Sequence, residues 1–289
     1  MAEFDQVNAL LVDPNPKVRE HIEAVLRDVG FSQLRLGATL DDIKDGVDES
    51  TPDLLLCGAD FPDGDICETM VMLRHGVVGD NPFLSIAVLS RDASSQKALD
   101  VLEWGADFAV GVPSNGDALR RHLETHFENR NPFIVTTEYM GPDRRQDIER
   151  ASKIAQIEVP HIFKVKARGG PLDGMREAIE ATMIDFNAQK LARHVDQVDY
   201  LIKRIGPDLM VGEADETVRL FLEKLMFVAQ DLGLRVEGTP HAGLSKICRG
   251  LYQVTSAIHA RQAGPRTKDV NLLIGLAQKL TADFSALSV

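Results

Sequence analysis

Short apolar runs alternate with helical patterns through the first 130 residues. Residues 9–12, 54–57 and 86–89 form continuous apolar runs that end in turn-forming residues, as is typical of strands buried on both faces. After the first run, a helix ending at Gly30 is predicted by apolar side chains at helical spacing, namely Val18, Ile22, Val25, Leu26 and Val29. The alternation predicts a doubly wound α/β domain with a parallel sheet, whose ligand cleft lies at the carboxyl ends of the strands.

From residue 173 onward the pattern is helical. Apolar side chains spaced three to five residues apart predict one long amphipathic helix that ends before Gly206 and Pro207. Three further helices are predicted at 218–232, closed by Gly233, at 244–260, and at 270–287 after a possible cap at Thr267. Four helices with short links favour an all-α antiparallel helical bundle.

Four segments, in the right order, resemble the receiver domain of two-component response regulators. Residues 8–16 read Asn-Ala-Leu-Leu-Val-Asp-Pro-Asn-Pro and are similar to the family's first strand, which normally ends in two adjacent acids. Residues 52–62 read Pro-Asp-Leu-Leu-Leu-Cys-Gly-Ala-Asp-Phe-Pro and are similar to the strand that carries the phosphoacceptor Asp. Residues 83–91 and 105–113 resemble the fourth strand, and the fifth strand with its Lys-Pro turn. The resemblance covers residues 7–127 and implies a five-stranded, flavodoxin-like sheet.

Three positions that carry chemistry in receivers are altered. Asp13 matches the first acid, but Pro14 replaces the second, which in receivers contributes to the Mg²⁺ site. Gly58 stands at the phosphoacceptor and Val112 at the phosphate-contacting Lys, whereas Ser90 falls where the family carries its switch hydroxyl. Phosphoryl transfer needs a carboxylate nucleophile, a metal held by oxygen ligands and a cation. The resemblance therefore implies a degenerate phosphorylation pocket without catalytic residues or a cofactor, and a weak Mg²⁺ site at Asp13 at most.

Asp60 is a possible alternative acceptor, because it lies two residues beyond Gly58 and side chains two apart share one face of a strand. At strand rise this places Asp60 about 6 to 7 Å further along the chain, past the strand end. The interpretation we favour is that Asp60, Asp63 and Asp65 belong to a solvated acidic turn.

These patterns predict a receiver-like domain at 1–128, a connector at 129–172 and a helical bundle domain at 173–289. Within the connector, residues 158–171 are punctuated by Pro and Gly, and we expect them to be extended. Arg144 and Arg145 follow a Gly-Pro-Asp turn. An adjacent arginine pair is able to hold a phosphate or carboxylate. The alternative, which we prefer, is that the pair docks the connector on the acidic first domain or caps a helix end.

Charge and composition narrow the function classes. The net charge is −12, and residues 1–130 carry 11 basic and 24 acidic side chains, against 21 and 20 in residues 131–289. An acidic domain repels phosphate backbones, so we expect no nucleic-acid partner. The three cysteines are dispersed, which favours reduced thiols over a zinc site. The chain starts without a signal-peptide pattern and has no run of eighteen apolar residues, so we expect no membrane and a cytoplasmic location.

The combined features predict a two-component signalling protein that acts by binding protein partners, independently of phosphorylation, with a possible homodimer through the helical domain. Histidine phosphotransfer through the bundle is one alternative, for which His194, His241 and His259 are the candidate residues. None has the Lys-Gly pair that the family carries three and four residues after its histidine. An enzyme with a nucleotide or flavin cofactor is another alternative, but no glycine-rich phosphate loop supports it, and we expect no enzymatic activity.

Overall fold

The computed structural model describes residues 2–92, 94–145, 154–212, 215–261 and 264–287. The chain divides into two compact units, at 1–183 and 184–289. The elements of the first unit, with a seventh helix that runs on into the second, are as follows: β1 Asn8–Val12, α1 Pro16–Val29, β2 Gln33–Gly37, α2 Leu40–Ser50, β3 Leu54–Gly58, α3 Ile66–Arg74, β4 Ser85–Ser90, α4 Gln96–Glu103, β5 Phe108–Gly111, α5 Gly116–Glu128, β6 Phe133–Val135, β7 Met140–Pro142, α6 Ile162–Ala167 and α7 Met175–Met210.

The main sheet of the first unit has five parallel strands in the order β2-β1-β3-β4-β5. This is the doubly wound, flavodoxin-like order, which places a ligand cleft where the strand order reverses. Two apolar clusters lie on opposite faces of the sheet, because successive side chains of a strand point to opposite sides. Leu11 and Leu56 pack with α1 and α5 on one face, whereas Leu10 and Leu55 pack with α2 and α3 on the other. The predicted fold class is confirmed for this half.

Local capping fixes where the helices start and stop. Asn15 accepts a hydrogen bond from the backbone N–H of Lys17 at the start of α1, and Gly30 ends that helix with φ of 114°. Thr39 and Asp42 form a reciprocal capping box at the start of α2, which satisfies two backbone N–H groups that the helix leaves unpaired. The predicted glycine stop of α1 is therefore present.

The segment after α5 belongs to the first unit's core. Strands β6 and β7 pair in an antiparallel hairpin, and residues 162–167 form α6. The expectation that residues 158–171 are extended is therefore wrong for residues 162–167, which are helical. Phe163 of α6 is buried, with its ring 6.0 Å from that of Phe4 and 5.7 Å from that of Phe127. Burial of this aromatic side chain explains why so short a segment is helical.

The second unit contains the rest of α7 followed by α8 Glu216–Arg235, a short 3-10 helix Ala242–Leu244, α9 Ser245–His259 and α10 Thr267–Leu287. Its core draws on all four long helices, and includes Val198, Leu225, Leu251 and Leu273. The helical C-terminal region is thus as predicted. In the described residues, no helix is long and apolar enough to cross a bilayer.

Two predicted helix ends in this unit are wrong. Helix α7 continues through Gly206 and Pro207 to Met210; a proline removes one backbone hydrogen bond and its ring crowds the carbonyl four residues earlier, and the helix ends three residues after it. Helix α8 continues past Gly233 to Arg235. Gly233 is not among the glycines with positive φ, and a Cβ built on it would lie 3.6 Å from Cβ of Cys248. Gly233 therefore does not end the helix, and a Cβ at this position would make ordinary van der Waals contact with α9.

Candidate functional site

A cleft of about 460 Å³ lies at the carboxyl ends of the central strands. Its lining comes from the ends of β1, β3 and β4, the start of α4 and the turn after β5, and includes Asp13, Asp60, Ser90, Lys97 and Val112. The sequence predicts that Asp13, Gly58, Ser90 and Val112 converge. The structure brings the first, third and fourth together in the cleft lining, and it places Gly58 directly beside Asp13.

Asp13 is the buried carboxylate of the cleft, with 7% of its surface exposed. Its Oδ1 accepts a hydrogen bond of 2.8 Å from the backbone N–H of Asn15. Burial raises the pKa of Asp13, and this effect outweighs the opposing contributions of the Asn15 N–H and the Arg19 guanidinium. A raised pKa means that the neutral acid is favoured relative to an exposed Asp.

Gly58 is the last residue of β3, and the resemblance predicts the receiver nucleophile at this position. A Cβ built on Gly58 would lie 2.8 Å from Oδ2 of Asp13 and 3.4 Å from Cδ of Pro14. The shorter distance is below normal van der Waals contact, so any side chain at residue 58 requires Asp13 to move. The carboxylate of Asp13 thus lies immediately beside the point from which a side chain at residue 58 would start.

Ser90 connects the end of β4 to the start of α4. Its hydroxyl donates to the backbone carbonyl of Asp92 at 2.7 Å and lies 3.2 Å from Oγ of Ser95. Ser95 is the N-terminal cap of α4 and accepts from the N–H of Ala98. The hydroxyl that the sequence singles out is therefore engaged in local contacts with the loop and cap of α4.

Asp60 and Val112 also line the cleft, the first with a charged, exposed side chain and the second with an apolar, buried one. Asp60 lies past the end of β3, its side chain 70% exposed, with Oδ2 2.5 Å from Nζ of Lys97. Val112 is buried and packs in the apolar cluster under α1 and α5. The side chain at residue 112 therefore gives the cleft no positive charge, whereas Lys97 lies at the rim and contacts the exposed acid.

The donor set does not match a magnesium site of the receiver type. Pro14 offers no side-chain oxygen, and Gly58 offers no side chain. Among the described residues, no three potential metal-ligating side chains come together. Mg²⁺ requires oxygen ligands in near-octahedral geometry, and of residues 13, 14 and 58 only Asp13 offers a side-chain carboxylate; that Asp13 gives a weak Mg²⁺ site at most stays a prediction.

Arg144 contacts the end of α4. Its Nε donates to the carbonyl of Leu102 at 2.9 Å, and its Nη2 donates to the carbonyls of Ala106 and Asp107. Arg145 instead forms an ion pair of 2.5 Å with Asp143 two residues earlier. The contacts of Arg144 are those of the docking and helix-capping alternative.

The histidines of the second unit do not present an exposed ring in mid-helix. His194 is completely buried, and its Nε2 lies 2.6 Å from Oδ2 of Asp231. Burial favours the neutral acid at Asp231, but the bonds from His194 and Arg235 hold its pKa below the ordinary value. His241 precedes the short 3-10 helix and stacks on Phe284, and His259 lies 3.0 Å from Glu223. A phosphodonor has no direct access to His194.

A buried ionic cluster near β5 was missed by the sequence reasoning. Asp107 receives Arg74 at 2.8 Å and Arg130 at 2.9 Å, and all three side chains are at most 6% exposed. Burial alone would raise the pKa of Asp107, but the charges of Arg130 and Arg74 hold it well below its ordinary value. Asp107 belongs to residues 105–113, which resemble the fifth strand of receivers. The only sign of its structural role in the sequence is that an acid follows a buried turn.

No protein-family model matches the sequence, and no curated protein matches it. Solved structures that are similar include the receiver domain of the sensor histidine kinase PA1611 from Pseudomonas aeruginosa, at 23% identity and a TM-score of 0.38, covering 43% of this chain and 98% of that chain. The chemotaxis response regulator CheY4 of Vibrio cholerae is similar at 19% identity and a TM-score of 0.35, over 41% of this chain and 96% of that one. A receiver domain from Bermanella marisrubri matches at 24% identity and a TM-score of 0.35, over 40% and 94%. Each of these three structures is matched over less than half of this chain.

Proposed function

We propose that this chain is a two-component signalling protein whose receiver-like unit has lost phosphoryl transfer and acts by binding protein partners. The observation that carries this proposal is the pair formed by Gly58 and Asp13. The position of the nucleophile has no side chain, and the remaining carboxylate lies 2.8 Å from where a Cβ would start. A nucleophile cannot be replaced by electrostatic stabilisation alone, because the phosphoryl group needs an atom to which it is transferred.

The same proposal assigns a partner-binding role to the α4 side of the unit. Two large apolar side chains of this side are exposed, Leu99 at 40% and Trp104 at 45%. In receivers, the switch hydroxyl and the fourth helix respond to phosphorylation, a two-state change that a ligand biases. Here Ser95 caps α4 and Arg144 binds the carbonyl of Leu102 near its end. These contacts favour a single conformation of α4 that a protein partner recognises or shifts, without enzymatic activity.

The experiment is treatment of the whole chain with acetyl phosphate and Mg²⁺, followed by intact mass measurement and peptide mapping. Wild type is compared with Asp60→Ala, which removes the exposed acid at the cleft rim, and with Asp41→Ala, which removes an exposed acid of α2 outside the cleft. We expect no phosphoryl increment on any of the three chains. A label on wild type and on Asp41→Ala that is absent from Asp60→Ala would overturn the proposal and identify a working receiver.

A second arm tests how far the pocket is lost. Gly58→Asp restores a carboxylate at the nucleophile position but forces Asp13 to move. We expect this variant to be unlabelled and less stable than wild type, because two adjacent carboxylates disfavour each other's charge. Efficient labelling of Gly58→Asp would show that the rest of the pocket still performs the chemistry.

A further inference from the structure

Helix α8 exposes a line of apolar side chains at heptad spacing. Leu220, Phe227 and Leu234 are 55%, 55% and 64% exposed. Seven residues correspond to two helical turns with a drift of only about 20°, so the three side chains lie in one row on the same face. The buried face of α8 is supplied by other residues, including Leu222 and Leu225. This row is therefore additional to the bundle core.

A groove of about 310 Å³ adjoins this row between α8 and α9. Its apolar lining includes Gly233, Leu234, Cys248 and Tyr252. Burial raises the pKa of the Cys248 thiol to about 11, so the thiol is neutral at physiological pH. A cavity of about 150 Å³ is large enough for benzene, and this groove therefore has room for a phenyl ring.

We propose that the α8–α9 face, meaning the row on α8 together with the adjoining groove, is a homodimer interface in which Phe227 of each copy enters the groove of the other. Phe227 and Gly233 are six residues apart on α8, about 9 Å along the helix axis. A two-fold axis midway between the ring and the groove exchanges them, so both insertions occur at once. Such reciprocity is the property of an isologous interface. The inference goes beyond the proposed function and does not depend on it.

The charges around the face favour a second copy over a strongly charged partner. Exposed acids and bases alternate on it, with Glu223 and Lys224 on α8, Glu237 just after α8 and Arg249 on α9. These four residues together carry no net charge, so they give a second copy no overall repulsion, and Lys224, Glu237 and Arg249 offer both signs for pairing, whereas Glu223 already contacts His259. A strongly basic partner would repel the two bases, and a strongly acidic partner would repel the two acids.

The apolar area also suits a dimer of ordinary size. The exposed fractions of Leu220, Phe227, Leu234 and Tyr252 correspond to about 400 Å² of side-chain surface per copy, taking about 150 to 250 Å² for each whole side chain. A standard interface buries about 800 Å² per partner, of which a little over half is apolar. The row and Tyr252 therefore supply nearly all of the apolar part, and the charged and amide side chains around them supply the rest.

The first test is sedimentation velocity of the whole chain, whose monomer mass is 31.8 kDa, from low concentration to about 100 μM, the range in which weak dimers assemble. We expect wild type to dimerise and Phe227→Ala to raise the dimer dissociation constant by at least about tenfold, since a central aromatic side chain is lost from both copies. Leu272→Ala is the matched control, because Leu272 of α10 is 52% exposed and is neither in the row nor in the groove lining. A wild-type chain that stays monomeric would overturn the proposal and leave this face to a different protein.

The second test uses complementary variants. Gly233→Leu fills the groove, and its Cβ is accommodated 3.6 Å from Cβ of Cys248. Alone, this variant and Phe227→Ala are each expected to be impaired in dimerisation, with unchanged circular dichroism. When mixed, the intact Phe227 of one chain meets the intact groove of the other, and the filled groove faces only an alanine. Formation of mixed dimers above the level of either variant alone is the expected result, and absence of this rescue would refute the reciprocal insertion.

Discussion

At the scale of single residues, the first unit depends on how buried polar groups are compensated. Asp107 is bonded by two buried arginines, and Arg74 also donates to the carbonyls of Gly105, Pro82 and Leu84. His161 is the opposite case. Both of its ring nitrogens are buried without a hydrogen-bond partner in the described part of the chain, and burial with the nearby charge of Arg130 lowers its pKa to about 2. Substitutions at these two sites should have opposite effects on stability.

Asp107→Asn is expected to destabilise the protein by about 3 to 5 kcal/mol, because it leaves two buried guanidinium groups without their counter-charge. The measurement is the free energy of unfolding in urea at pH 7. Since the pKa of Asp107 is depressed in the folded state, its contribution is present at neutral pH and is lost as the pH falls below about 4. The control is Asp60→Asn, which breaks an exposed pair with Lys97 and should cost at most about 1 kcal/mol.

His161→Phe is expected to stabilise the protein by about 1 to 3 kcal/mol, the cost of burying polar atoms without partners. The ring contacts of His161 with His126 and Phe163 are of a kind that phenylalanine also makes. Because the folded pKa of His161 lies far below its ordinary value of about 6.5, wild type loses stability as the pH falls from about 6.5. Urea unfolding at pH 7 and pH 5 should show a smaller difference for the variant, and a destabilised variant at pH 7 would contradict the argument.

At the scale of elements, the segment after α5 is an integral part of the first unit. Helix α6 supplies Phe163 to the core and Lys166 to the buried Asp53, at 2.7 Å. The backbone N–H of Glu3 donates to the carbonyl of Ala167, so α6 also fixes the N-terminal segment. The division into 1–128, 129–172 and 173–289 remains a prediction, but the structure assigns residues of the middle segment to the core of the first unit.

A chain that ends at residue 128 is therefore expected to be less stable than one that ends at residue 172. The shorter chain exposes the rings of Phe4 and Phe127 and leaves the buried Asp53 without Lys166. Thermal unfolding and the fraction of aggregated material would be compared between the two chains. In the longer chain, Phe163→Ala should reproduce much of the loss of stability, about 3 to 5 kcal/mol. Lys164→Ala is the control and should not, because the side chain of Lys164 is 40% exposed. Equal stability of the two chain lengths would contradict this role of α6.

The sequence predicted the sheet and the long helices well, because buried parallel strands and amphipathic helices leave periodic patterns of sufficient length. It did not predict α6, because six residues contain only one helical repeat, the pair Phe163 and Ala167. The end of α8 was misplaced because Gly233 does not adopt a positive φ, and the helix continues through it to Arg235. At the candidate site, aligned positions indicated which residues converge, but the close approach of Asp13 to Gly58 depends on side-chain conformation, and the pair of Asp60 with Lys97 joins residues 37 positions apart.

At the scale of the whole molecule, the two units differ in charge and in composition. The excess acid lies within residues 1–130, with 24 acidic against 11 basic side chains. The only tryptophan of the chain, Trp104, lies in the first unit, whereas the second unit consists of helices in its described residues. Tryptophan fluorescence therefore reports on the first unit, and far-ultraviolet circular dichroism reports mainly on the helices of both.

We expect two separable unfolding transitions, since units with separate cores need not unfold together. Raising the salt concentration should shift the fluorescence transition to higher urea, because salt screens repulsion among the acidic side chains. The circular dichroism change that is not accompanied by a fluorescence change reports on the second unit. We expect its urea midpoint to change little with salt. Coincident transitions at all salt concentrations would show that the chain unfolds as a single cooperative unit.

The contact between Asp13 and Gly58 also bears on how a phosphorylation site could be engineered into this cleft. An aspartate introduced at residue 58 would meet the Asp13 carboxylate in the adjacent space, and Val112 would give it no compensating positive charge. We therefore expect that a single substitution at residue 58 does not create a working acceptor, and that an engineered site needs a cation at residue 112 as well as a carboxylate at residue 58.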